Sequence, residues 1–267
     1  MAKRFDLTGK VIVVTGGTGL LGSAYCQGLA EHGAKVVMAD LAATDPVGKA
    51  QSIKSSDGYQ ATGVNCDVSS EVDVIDLFQY VLGKFGRVDV VLNNAAATGE
   101  HLMRQGAPFA CFEDSTLEIW ESALRVNLTG IYLVAREGGK AMLKSGGGCL
   151  INVSSTYGVV GPDHRIYEGM RFNSLPSYAA AKAGVHGLTR WLATYWGDKG
   201  IRVNTLVPGG VENNHDPEFV KRYIERTPLR RMAKREDMVG MIIYLASDAS
   251  AYSTGQQFFV DGGWTAI

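Results

Sequence analysis

The chain has 267 residues, a formal net charge of −1 and 46% hydrophobic residues. That length suits a single domain over residues 1–267 with a well-buried α/β core, and the near-zero charge argues against general nucleic-acid binding. No apolar run reaches membrane-spanning length and the N-terminus has no signal-peptide core, so the expectation is a cytoplasmic protein without a membrane partner.

The run 10–15, Lys-Val-Ile-Val-Val-Thr, is β-branched and reads as a buried parallel strand. It enters the turn Gly16-Gly17-Thr18-Gly19-Leu20-Leu21-Gly22, and an amphipathic helix follows. Gly17, Gly19 and Gly22 fit the dinucleotide fingerprint in its strand–turn–helix context. Glycines there allow a tight turn and a close approach of backbone N–H groups to a pyrophosphate. The next strand, 35–40, ends in Asp40, eighteen residues after Gly22. A carboxylate there accepts from ribose hydroxyls and repels a 2′-phosphate. With no Lys or Arg in the turn or directly after Asp40, NAD is expected over NADP.

Further strands are expected at 60–66, 88–93, 149–154, 202–207 and 257–260, with helices between them. Ser115-Thr116-Leu117-Glu118 has capping-box form before a long helix. Such alternation implies a doubly wound parallel sheet of about seven strands, with helices on both faces and right-handed crossovers. Ligands bind such sheets at the carboxyl ends of the strands, where Thr15, Asp40, Asp67, Asn93, Ser154 and Val207 all fall.

Tyr178 and Lys182 stand four apart in a proline-free helical run from Ser177 to Leu192, so they share one face. A lysine cation one turn from a phenol favours the phenolate, which suits the pair to proton transfer near neutral pH. The four cysteines (Cys26, Cys66, Cys111, Cys149) and five histidines (His32, His101, His164, His186, His215) lack metal-ligand spacing, and no metal is expected. The cysteines read as small buried residues of a reducing compartment.

In these motifs the chain resembles the short-chain dehydrogenase/reductase family, nearly end to end. The TGGTGLLG turn is similar to the family's extended branch, with Leu20 where single-domain members carry Gly, whereas the length and the C-terminus are similar to the single-domain branch. The resemblance implies a Rossmann-type fold. It implies cofactor contacts from Gly16, Thr18, Gly19, Leu20, Leu21 and Gly22 in the turn, from Asp40-Leu41 and from Asp67-Val68 at the adenine. It extends them to Asn94-Ala95-Ala96, where Ala96 replaces the usual Gly, and to Pro208, Gly209 and Val211 at the nicotinamide. Beyond that Pro-Gly the family's Thr is missing, and Asn213 or Asn214 stands in its place.

The resemblance further implies a catalytic set of Asn127, Ser155, Tyr178 and Lys182. Tyr178 takes the proton of an alcohol as hydride passes to NAD, Lys182 also holds the nicotinamide ribose, and Ser155 orients the substrate oxygen. Asn127 holds a water that links Lys182 to solvent. A homotetramer is implied as well, with Trp191, Leu192 and Tyr195 as interface candidates.

Ser155 and Tyr178 are twenty-three residues apart, more than the family spacing, so a loop is inserted at about 157–175. Its His164, Arg165 and Arg171 suggest contacts to a hydroxyl-rich, sugar-like substrate, neutral or anionic, in which Arg165 or Arg171 could hold a carboxylate or phosphate; the other reading is a loop that serves the subunit interface. The segment 209–231 carries Lys221, Arg222, Arg226, Arg230 and Arg231 and reads as a solvated helix face or a basic lid. The expected activity is NAD-dependent dehydrogenation of a secondary alcohol such as a sugar or polyol. The other readings are a 3-oxoacyl reductase-like enzyme and a non-catalytic dinucleotide-binding regulator.

Overall fold

A computed structural model describes residues 2–55, 58–97, 111–170 and 173–267. Seven parallel strands form one sheet in the order β3-β2-β1-β4-β5-β6-β7. They are β1 (Val11–Thr15), β2 (Lys35–Asp40), β3 (Thr62–Asn65), β4 (Val90–Asn93), β5 (Gly148–Val153), β6 (Ile201–Pro208) and β7 (Gln257–Val260). The chain winds outward through β2 and β3, then returns to place β4 on the other side of β1. That reversal opens a crevice at the carboxyl ends of β1 and β4.

Period-two alternation sorts the strand residues between two cores. Ile12, Val14, Val36, Met38, Val90 and Leu92 pack on one face with α1 (Leu20–Glu31) and α8 (Val239–Ala246). Val11, Val13, Val37, Ala39 and Val91 pack on the other with α3 (Glu71–Phe85), α5 (Ile131–Lys144) and α6 (Pro176–Trp196). Because helices cover both faces, the strands read as continuous apolar runs. The short α2 (Pro46–Ala50) lies against β3.

Helix boundaries follow their caps. Ser70 accepts from the Asp73 N–H to start α3, and Gly86 closes it in a left-handed conformation at φ +74°. For α4 (Leu117–Leu124) the cap is Thr116, which accepts from the Ile119 N–H, and so lies one residue later than the capping-box spelling at Ser115 suggests. Between α4 and α5 the helix widens into a π-turn over Arg125–Gly130. On α6, Leu192 is only 6% exposed and belongs to the core, which corrects its expected interface role; Trp196 is likewise buried there.

A third, smaller core sits beyond the sheet. Ile166 of the inserted loop packs with Phe219 and Tyr223 of α7 (Pro217–Arg226), with Met232 and with Trp264. No helix among the described residues is long and apolar enough to cross a membrane.

Candidate active site

The turn after β1 is built so tightly that side chains are excluded from it. Gly16 has φ +63°, and a Cβ there would lie 2.8 Å from the Cα of Ala95. A Cβ on Gly22 would come within 2.0 Å of the Gly16 carbonyl oxygen. Asn94 locks the facing wall by donating from Nδ2 to the carbonyls of Thr15 (3.0 Å) and Gly16 (3.1 Å). The crevice bounded by these segments encloses about 360 Å³. It is lined by Gly16 and Thr18–Gly22, by Asp40 and Leu41, by Asp67 and Val68, and by Asn94–Ala97. Thr44, Cys66 and Val126 also line it, without any motif that marks them in the sequence.

Asp40 is held rigidly at the mouth of this crevice. Its Oδ2 accepts from the Thr18 N–H (2.9 Å) and hydroxyl (2.6 Å), and its Oδ1 from the Leu41 N–H (2.8 Å). Among the described residues that line the crevice there are two carboxylates and no Lys or Arg. The glycine cradle, the N-terminus of α1 and the carboxylate together fit a dinucleotide, pyrophosphate at the turn and ribose at Asp40.

A second cavity of about 380 Å³ adjoins it and shares Leu20 and Leu21. Ser155 and Tyr178 line it, together with Pro208, Gly209 and Val211 from the end of β6. Ser155 Oγ accepts from the Tyr157 N–H at 3.2 Å and also hydrogen-bonds the Tyr178 phenol. Burial pushes the Tyr178 phenol above its ordinary value, and the Ser155 hydrogen bond opposes the rise. This corrects the expectation that Lys182 leaves the phenol acidic: in the protein alone, burial wins. Lys182 is 1% exposed, its Nζ 5.6 Å from the Tyr178 ring centre, and it donates to the Val153 carbonyl at 2.9 Å. Burial drops its ammonium to about 8.

Asn127 sits in the π-turn, fully buried. Its Oδ1 accepts from the Ala97 N–H (2.9 Å) and its Nδ2 donates to the Ala97 carbonyl (2.8 Å). Both amide atoms therefore tie the helix to the segment after β4. Ser154 turns the other way, hydrogen-bonding the Lys182 carbonyl (2.8 Å) and His186 Nε2 (3.0 Å).

The inserted loop reaches the cavity with aromatic groups. Tyr157 and Tyr167 line it and hydrogen-bond each other through their hydroxyls at 2.8 Å. Arg165 lies on the outer face, its side chain 84% exposed and paired with Asp163 at 2.7 Å. His164 is exposed and bonds Asn173, and neither it nor Arg165 lines the cavity. Arg171 lies outside the described residues. The basic lid reading changes too. Arg226 pairs with Asp163, and Arg222 with Glu218 and the Glu168 carbonyl, so these two charges staple loop to helix, while Arg231 pairs with Asp237 further along the chain. Phe219 and Tyr223 of α7 complete the cavity wall. No motif marks these aromatics in the sequence. Among the described residues no cluster of His, Cys, Asp or Glu could hold a metal ion, and Cys111, unlike the other three cysteines, is exposed.

A dinucleotide crevice adjoining a pocket lined by Ser155 and Tyr178, with Lys182 buried 5.6 Å from the Tyr178 ring centre, defines an oxidoreductase, and the chain belongs to the short-chain dehydrogenase/reductase family. The family profile described as enoyl-(acyl carrier protein) reductase matches residues 19–265. The chain is 32% identical to D-threitol dehydrogenase of Mycolicibacterium smegmatis over 98% of its length and 95% of that protein's. It is 33% identical to L-rhamnose 1-dehydrogenase (NAD(P)(+)) of Sphingomonas sp., over 96% of each. The crystal structure of a gluconate 5-dehydrogenase from Burkholderia cenocepacia J2315, in complex with NADP and tartrate, superposes with a TM-score of 0.87 at 28% identity, covering 100% of this chain and 99% of that one. The family binds a nicotinamide dinucleotide.

Proposed function

We propose that this protein is an NAD-dependent dehydrogenase of a neutral polyol or sugar. The observation that carries the reading is the junction at Leu20 and Leu21, where the crevice holding Asp40 meets the cavity holding Ser155 and Tyr178. The bound dinucleotide supplies the carbon that exchanges hydride with the substrate. Tyr178 moves the proton at the substrate oxygen, and Ser155 donates a hydrogen bond that orients that oxygen. Lys182, beneath the phenol, contributes the positive charge that stabilises phenolate once the site is closed, and its N–H groups not bonded to the Val153 carbonyl would hold the nicotinamide ribose. Asn127 fixes the crevice wall through Ala97, while its water-relay role is carried by the family resemblance.

Asp40 supports NAD, because a 2′-phosphate would meet a rigid carboxylate with no cation lining the crevice among the described residues. The relatives that use NADP make this a property of this chain's own residues rather than of the fold. The cavity has no Lys or Arg among its described lining residues, which favours an uncharged substrate over the anionic one suggested by Arg165. The threitol and rhamnose dehydrogenases among the relatives support the polyol class. The exposed, stacked aromatic pair on α6 supports a homotetramer.

The test is a screen of polyols, sugars and hydroxy acids read by NADH absorbance, with NAD⁺ and NADP⁺ titrated in parallel. NAD⁺ is expected to bind more tightly, and Asp40→Ala to narrow the gap. Equal affinities in the unaltered protein would overturn the cofactor assignment, and turnover restricted to hydroxy acids would overturn the neutral substrate.

A further inference from the structure

We infer that Tyr157 is the residue that recognises a second hydroxyl of the substrate, next to the carbon being oxidised. The inference rests on the polyol reading and goes past it, to the group that makes the distinction. Tyr157 follows Ser155 by two residues, and its N–H is held on the Ser155 Oγ at 3.2 Å. Its backbone is thus one hydrogen bond from the atom that orients the reacting oxygen. From there its side chain lines the same cavity as Tyr178. The phenols are near enough that charge on Tyr178 makes ionisation of Tyr157 and Tyr167 harder. A phenol so placed reaches a hydroxyl on a neighbouring carbon, not the reacting one, which Ser155 and Tyr178 already hold.

Tyr167 is the positioning residue. Its hydroxyl bonds that of Tyr157 at 2.8 Å, and its ring packs on Phe219 at 5.4 Å between centroids. The bond fixes the Tyr157 ring torsion before substrate arrives, so little freedom remains to be lost on binding. Both phenols are pushed up by burial, Tyr167 to about 12, so they stay neutral over the working range and read a hydroxyl as donor and acceptor. A site built to pair a hydroxyl rejects the analogue that lacks it, because its own polar group is then left unpaired.

Glycerol and isopropanol share a secondary carbinol and differ in the flanking hydroxyls, which makes them the probes, alongside the best polyol from the screen. With NAD⁺, Tyr157→Phe is expected to lower kcat/KM for the polyols roughly tenfold, mostly through KM, and to leave isopropanol unchanged. Tyr167→Phe should shift the same ratio in the same direction by less. NAD⁺ affinity and the pH profile of kcat should match wild type in both, a result that a general collapse of the pocket would not give. An equal loss on polyols and isopropanol, or no loss on either, overturns the role of Tyr157. Should Tyr157→Phe fail to fold, the ratio in Tyr167→Phe decides: an unchanged ratio overturns the inference. Wild-type turnover of isopropanol without any polyol would instead sink the polyol reading itself.

Discussion

At the scale of single residues, Tyr178 and Lys182 respond to burial in opposite directions, and each response has a measurable consequence. Oxidation of an alcohol uses the phenolate as proton acceptor, whereas reduction of a ketone uses the phenol. With the phenol raised by burial, only a small fraction is ionised at neutral pH, and that fraction grows about tenfold per pH unit. The oxidation rate is therefore expected to climb with pH through neutrality into the alkaline range, and the reduction rate to stay level there. Initial rates in both directions across pH check this. Tyr178→Phe should reduce turnover by roughly 10²–10⁴ while NAD⁺ affinity, followed by tryptophan fluorescence, stays near wild type. Lys182 links the site to stability. Its folded value of about 8 lies below the ordinary 10.5, so between these limits the unfolded chain binds more protons than the native one. Stability from this group consequently rises with pH across that window, by up to about 3 kcal/mol. Buried tyrosines and cysteines act in the reverse sense at alkaline pH. The readout is therefore the difference in denaturation midpoint between wild type and Lys182→Met, whose loss of the buried ammonium should remove the rise.

At the scale of elements, two side chains hold the site's walls in place. Asn127 in the π-turn satisfies both the N–H and the carbonyl of Ala97. Widened turns of this kind recur at functional sites because they re-aim a side chain within a helix. Asn127→Ala would strand two buried backbone groups, and a loss of about 2–4 kcal/mol in urea denaturation is expected. Asp163 does a related job for the inserted loop, since it accepts from both Arg165 and Arg226 and sits well below the usual carboxylate range as a result. Arg226 also lies over Trp264, which stacks on Tyr223 of the cavity wall. Asp163→Ala should loosen loop and helix together. The expected outcome is faster proteolysis within 157–170 and a KM for polyol a few times higher, with kcat retained.

At the scale of the whole molecule, Trp191 and Tyr195 are the outstanding surface feature. They are 59% and 51% exposed and stack at 4.9 Å on the outer face of α6. Large aromatic side chains of this kind are favoured at interfaces that bury them. Trp191→Asp with Tyr195→Asp is expected to reduce the proposed homotetramer to a smaller species by light scattering. An unchanged mass would remove this face from the interface.

How far the chain could be read without its structure depends on the range of the interactions involved. All seven strands fall within a residue or two of the runs that announce them, and β1, β2, β4, β5 and β6 do so because a strand buried on both faces needs little beyond local composition. The glycine turn and the Tyr178–Lys182 pair were legible for the same reason: each is set by the spacing within one turn or one helix. The cap of α4 was misplaced by one residue, since Ser115 and Thr116 spell nearly the same signal and only the observed bond to Ile119 separates them. The polar residues of the 157–175 loop were legible, but not their orientation. Its polar residues suggested contacts to substrate, yet Arg165 is spent on Asp163, and Asp163 is gripped by an arginine 63 residues away. The cavity is instead lined from this loop by Tyr157, Tyr167, Asn173 and Ser174, and the meeting of the two tyrosines depends on packing against Phe219 and Tyr223. The sequence by itself determined the sheet, its glycine turn and the placing of Tyr178 and Lys182 on one helix, all of which local periodicity encodes. Only the tertiary structure decided which polar groups line the cavity, because that follows from which charges find partners first across distant segments.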